Sequence, residues 1–322
     1  MVKPRYLAMF SMVVAVTAVS ACGTHPGAAA AKDIRLDYAY YNPLSLVVRD
    51  QRLLENRGYN VTWVLSAGSN KANEGLRSKG LDFGSTAGSA ALVARANGTP
   101  IKIIDVYSKP EWTALVVGKD SPIHSVADLK GKKIAVTKGT DPYFFLLQSL
   151  ATARLSPSNV EIINLQHADG KTALERGDVD AWSGLDPFMA QTVQQQGSRL
   201  LYRNPDFNSY GVLNVREDFS AAHPDLVQSV VNSYEEARKW AKAHPDQLAV
   251  LLASQAKVTP SVAQEELQRT ALDISPAPGD PQRAVLTNVL PIAVADADIK
   301  SDEAGHTALG TIIEPKYAQQ TH

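Results

Sequence analysis

Short apolar blocks recur along this chain at a fixed spacing. Ile34–Tyr38 and Lys133–Val136 are β-type runs, each followed by an Asx-Pro pair, Asn42-Pro43 and Asp141-Pro142. An apolar stretch comes next in both places, Leu44–Leu54 and Phe144–Leu155. An Asx side chain accepts hydrogen bonds from the free N–H groups of a first helical turn, and Pro suits the next position because its missing N–H has no helical partner there. The pattern predicts strand, turn and helix twice over. Val61–Leu65 answers Val160–Leu165, and Leu76–Asp82 answers Leu174–Asp180, all at offsets of 98 to 100 residues. One offset held over three blocks marks an internal duplication. The expectation is an α/β chain of two related lobes, each a mostly parallel sheet flanked by helices.

The second copy interrupts something larger. Tyr210–Val215 is a further β-type run, and a long helical region follows it. His223-Pro224 opens a helix through Lys242, His244-Pro245 one through Ala253, and Pro260 one to about Leu272. Pro276, Pro278 and Pro281 break the pattern before a last helix near Val285. The chain is therefore expected to cross between lobes twice, near Val117–Asp120 and near Asn208–Val212. That gives 33–117 as the first part of lobe 1, 118–209 as lobe 2, and 210–322 as the rest of lobe 1 with the C-terminal helices. Ligands of such sheets bind beyond the carboxyl ends of the strands, which here places the cleft between the lobes.

Charge and cysteine usage narrow the function. Of 322 residues, 32 are Lys or Arg and 33 Asp or Glu, a net charge of −1 without basic blocks, which argues against nucleic acid as a partner. The one cysteine, Cys22, excludes a disulfide framework and a Cys-based zinc site. The seven His are scattered without a pair at helical spacing, so no metal or other cofactor is expected. Lys3 and Arg5 precede an apolar run, Tyr6–Val19, that is too short to span a bilayer and reads as a secretory signal over 1–21. Val19-Ser20-Ala21-Cys22 resembles a bacterial lipobox, which implies a lipid on Cys22 and a tether over 22–32. The mature domain is then expected outside the cytoplasmic membrane, in the periplasm or at the cell surface, held to a lipid surface.

In the first copy, three strand ends should point loops at the cleft: Tyr40-Tyr41-Asn42, Ser66–Ser69 with Gly68, and Ser85-Thr86-Ala87-Gly88-Ser89. Small hydroxyl and glycine residues at a helix start leave backbone N–H groups open to an anion, aided by the helix dipole. A small oxyanion can be held there without any Arg. The plainer alternative is a tight packing turn. Gly84-Ser85-Thr86-Ala87-Gly88 also superficially matches a nucleophile elbow, which makes an extracellular hydrolase using Thr86 the rival from the enzyme class. Such an enzyme needs a His base, and no His lies in a comparable loop, so no catalytic activity is expected.

Ser125-Val126-Ala127-Asp128-Leu129-Lys130-Gly131-Lys132-Lys133-Ile134-Ala135-Val136 resembles the second-lobe opening of bacterial extracytoplasmic solute-binding proteins. Gly177-Asp178-Val179-Asp180-Ala181-Trp182 with Asp186-Pro187, and Gly84-Ser85-Thr86, are similar to the aliphatic-sulfonate, taurine and nitrate-binding group of ABC importers. The resemblance implies a two-lobed type II periplasmic-binding-protein fold that closes on its solute and delivers it to a permease. It implies a monomeric receptor for a small organosulfonate, an alkanesulfonate or a taurine-like zwitterion. A thiamine-precursor pyrimidine and a nitrate-like anion are the alternatives on the same fold.

By the same resemblance, Thr140 and Asp141 occupy the ligand loop of the second lobe. Asp141 reads either as a helix N-cap or as a cleft carboxylate that favours a cationic group on the ligand, and Asp186 shares the ambiguity. Tyr41, Trp112, Tyr143 and Trp182 are candidates to cover an organic tail, against the ordinary reading of aromatics as core. His167 reads more readily as a surface or capping residue than as a ligand contact.

Overall fold

The structure, a computed structural model, describes residues 32–321; the signal segment, Cys22 and the tether before Lys32 lie outside the described residues. β1 (Asp33–Tyr38), β2 (Asn60–Leu65) and β3 (Phe83–Ala87) form the parallel part of a first sheet, to which β4 (Ile101–Pro110) also belongs. The chain then enters a second sheet with β5 (Leu115–Val117), β6 (Lys133–Val136), β7 (Glu161–Asn164), β8 (Ala181–Ser183) and β9 (Arg199–Tyr202). It returns to the first with β10 (Gly211–Arg216) and β11 (Thr270–Ala271). The strand orders are β11-β4-β10-β3-β1-β2 and β7-β6-β8-β5-β9.

The two orders explain each other. β10 lies antiparallel between β3 and β4, and β5 lies antiparallel between β8 and β9. In each lobe the inserted strand is the one that has just crossed from the other lobe, so neither sheet is complete without the exchange. Each sheet is therefore mostly parallel in strand direction but mixed, because β10 with the edge strand β11, and β5, run against the rest. The first passage also comes earlier than the expected 117–120, because β5 is already paired in the second sheet. It occupies 111–114, and the return occupies 203–210.

The duplication is visible bond by bond. Asn60 N donates to Lys32 O, as Glu161 N does to Lys132 O, and Ser66 N donates to Tyr38 O, as Leu165 N does to Val136 O. The Asp of each Leu-to-Asp block makes one bond in common. Asp82 Oδ2 accepts from Arg35 N at 2.8 Å, and Asp180 Oδ2 accepts from Lys133 N at 2.8 Å. Each carboxylate thus pins its third strand to the start of the first. Asp82 is buried and also pairs with Arg35 and Arg216, whereas Asp180 is exposed.

The helices start where Pro and Asx placed them. Asn42 caps Pro43–Asp50 by accepting from Ser45 N. Three later helices open at Pro224, Pro245 and Pro260. The third ends at Gln268 rather than near Leu272, since Thr270–Ala271 pairs with β4 as an edge strand. The helix Asp280–Ala295 is not the last, as two more follow at Asp302–Thr311 and Lys316–Gln319. No helix among the described residues is long and apolar enough to cross a membrane.

The unequal burial of the two pinning carboxylates predicts unequal costs. Asp82→Ala should lower the unfolding free energy by about 3 kcal/mol and Asp180→Ala by about 1 kcal/mol, measured by urea denaturation. Equal losses would contradict the part assigned to burial and to the Arg35 and Arg216 pairing of Asp82.

Candidate functional site

At the junction of the lobes the loop after β2 meets the one after β7, Gly68 against His167, and the helix start after β3 meets the one after β6, where a buried carboxylate lies. Asp141 opens the helix Asp141–Thr152 of lobe 2. Its Oδ1 accepts from Ser89 Oγ at 2.6 Å and Ser209 Oγ at 2.7 Å, and its Oδ2 from Ser209 N at 2.7 Å and Trp112 Nε1 at 2.8 Å. Ser89 belongs to lobe 1, Trp112 to the outgoing connection and Ser209 to the return. Burial pushes the Asp141 carboxyl up from its ordinary value, and the hydrogen bonds from Ser89, Ser209 and Trp112 pull it back.

Three further contacts hold the lobes together. Asp186, after β8, is buried and accepts from Arg269 Nη1 at 2.8 Å, while its Oδ1 also accepts from Ala190 N. Tyr143 OH donates to Asp296 Oδ2 beside the helix Asp280–Ala295. Gly68 packs so closely on lobe 2 that a methyl there would stand 2.9 Å from His167 Nε2. The two connections are themselves tied, by the paired hydrogen bonds from Arg203 to Glu111 and by Thr113 N to Asn208 Oδ1.

His167 is buried, not a surface residue. Thr137 Oγ1 donates to Leu165 O, so it is free to accept from His167 Nδ1 at 3.1 Å, which leaves Nε2 as a bare acceptor. Burial depresses its pKa to about 3, so the ring is neutral. Neither His167 Nε2 nor Asn70 Oδ1 has a hydrogen-bond partner among the described residues. Tyr41 and Trp112 meet edge to face at 5.8 Å inside the buried core, beside Asp141, so as observed they pack as core aromatics and do not line an open cleft.

The model of the NMT1/THI5-like family matches residues 51–248. The chain belongs to that family. A relative from Bacillus subtilis strain 168, named as an aliphatic sulfonates-binding protein, is 31% identical over 219 residues, covering 67% of this chain and 66% of the relative. The taurine-binding periplasmic protein of Escherichia coli strain K12 is 29% identical over 210 residues, 63% of this chain and 64% of its own. The solved alkanesulfonate-binding protein SsuA from Xanthomonas axonopodis pv. citri, bound to MOPS, superposes with a TM-score of 0.78 at 25% identity, covering 87% of this chain and 99% of that one. The two-lobed periplasmic-binding fold implied by the sequence motifs is thus the fold observed.

Several expectations for this NMT1/THI5-like protein need correction. The N–H groups of the Ser85–Ser89 loop are not open to an anion. Ser85 N donates to Asp37, Ala87 N to Ser69 Oγ, Gly88 N to Tyr210 O and Ser89 N to Ser209 Oγ. Asn42 and Ser85 bond each other beneath the loop, and Thr86 Oγ1 accepts from Asn214 rather than facing a His base. Trp182 packs in the lobe-2 core with Val116, Ala135 and Met189, its indole against Gly170, so it does not line the cleft. Thr140, not Asp141, is the N-cap of its helix, and its hydroxyl donates to Thr137 O. No group of His, Cys, Asp and Glu among the described residues could hold a metal ion.

Both cleft carboxylates are engaged within the protein. An ionised carboxylate offers about four lone-pair positions, and all those of Asp141 are filled, which leaves none for a ligand amine. Sequence reasoning missed Ser209, Asn70 and Arg269. The 98-to-100-residue duplication does not reach Ser209 or Arg269, and only the return crossing brings them to the junction.

Asp186 supplies a pH test. Burial outweighs Arg269 and raises its pKa from 3.8 to about 6. The folded protein then binds more protons than the unfolded chain between about pH 4 and 6, so this residue favours folding at the acid end and loses that contribution as pH rises through 6. Asp186→Asn should flatten the decline of unfolding free energy over that window. An unchanged slope would contradict the assignment.

Proposed function

We propose that this protein is the extracytoplasmic receptor of an ABC importer, capturing a small organosulfonate between its lobes and delivering it to the permease. The observation that carries the reading is the cradle at the lobe junction, where hydroxyl, backbone N–H and indole N–H groups converge on an oxyanion without a cationic side chain. Neutral donors of this kind replace the hydration of a singly charged anion, and charge-assisted hydrogen bonds are about twice as strong as neutral ones. The Tyr41–Trp112 pair is the apolar surface nearest the cradle that a short organic tail would meet once the lobes part. Relatives named for sulfonate and taurine binding support the same class.

In the arrangement observed, Asp141 is saturated and Asp186 is paired with Arg269, so neither carboxylate has a free acceptor for a ligand amine. The same engagement weakens the case for an amino-pyrimidine, which needs a carboxylate with free acceptor positions. The reading therefore centres on the sulfonate group. We read the receptor as monomeric, as its family resemblance implies, with a lipid on Cys22, as the lipobox-like Val19–Cys22 implies.

Thermal denaturation of the domain from Lys32 onward, against ethanesulfonate, taurine, nitrate, sulfate and an aminopyrimidine, tests this. A ligand at about 100 times its dissociation constant adds roughly 2.7 kcal/mol, a midpoint shift of about 5 °C. Ethanesulfonate and taurine should shift the midpoint alike, and a shift with the aminopyrimidine alone would overturn the reading.

A further inference from the structure

We infer that Asp141 is an internal mimic of an anionic headgroup: its carboxylate fills the cradle at the lobe junction, so an organosulfonate that uses those donors must first displace it. Its sulfonate clause rests on the function proposed above, whereas the occupancy of the cradle by Asp141 does not.

The duplication isolates what is unusual about this residue. Asn42-Pro43 and Asp141-Pro142 hold equivalent places in the two copies. Asn42 serves its own helix, accepting from Ser45 N. Asp141 has no such local role, since Thr140 stands at the cap position and the carboxylate reaches instead to Ser89, Ser209 and Trp112. Those three partners lie in lobe 1 and in both connections, so the four bonds form together only when the lobes are shut. The same four donors suit two oxygens of a sulfonate as well as two of a carboxylate, because both groups are singly charged and accept through oxygen. The two cannot share the cradle: like charges a few ångströms apart in a buried site repel strongly, and the donors are already used. Asp141 therefore sets which anions bind and how strongly, as a competitor and not as a contact.

The test is calorimetric titration of the wild-type chain and of Asp141→Ala with ethanesulfonate and, separately, with acetate. Asp141→Ser, which keeps one acceptor in the cradle, serves if the alanine variant does not fold. The variant should bind ethanesulfonate about tenfold tighter or more than wild type. Acetate should bind the variant and raise its melting temperature while leaving wild type unmoved. Acetate rescue with no sulfonate binding by either protein would support the internal mimic and refute the sulfonate reading. Equal or weaker ethanesulfonate binding by a folded variant would overturn the inference while leaving the sulfonate reading intact.

Discussion

Everything that faces the lobe junction is organised around the buried carboxylate of Asp141. A charge removed from water must be compensated by hydrogen bonds or it neutralises, and here four donors from three separate stretches of chain supply that compensation. Because Ser89 belongs to lobe 1 and Ser209 and Trp112 to the two connections, the requirement to satisfy one side chain becomes a requirement on lobe position. Asp186 with Arg269, Tyr143 with Asp296 and the close approach of Gly68 to His167 then fit around a separation already fixed. Arg203–Glu111 and Asn208–Thr113 tie the two connections to each other beside this carboxylate.

The reciprocal exchange of β5 and β10 makes this arrangement possible. Each lobe takes its inserted strand directly from a crossing segment, so the residues flanking β5 and β10 are carried to the junction. Trp112 lies just before β5 and Ser209 just before β10. Two of the three residues that hold Asp141 are there because of strand exchange, not because of any local motif around the cleft.

Much of the architecture was legible in the sequence because it repeats. The offset of 98 to 100 residues mapped onto matched strands, and even the Asp82 and Asp180 pinning bonds recur. The crossings and the mixed sheets were less legible, since strand direction in a sheet depends on which partner a run finds, not on its own composition. The site was read least well. Ser85 to Ser89 had the composition of an anion loop, but its N–H groups are consumed by Asp37, Ser69, Tyr210 and Ser209. Trp182 looked like a cleft aromatic and is core because its strand runs through the middle of the second sheet. Asp141 was placed at the right loop with the wrong roles, as neither a cap nor an amine receptor describes a carboxylate that bridges the lobes. Long-range pairing decides such roles, and it leaves no local signature.

Small-angle scattering of the wild-type chain and of Asp141→Ala, each with and without ethanesulfonate, tests the central claim most directly. If Asp141 already satisfies the junction, wild type should give the same radius of gyration in both conditions, while the variant expands alone and compacts when the sulfonate is added. A wild-type chain that is as expanded as the variant until ethanesulfonate is added would contradict the account.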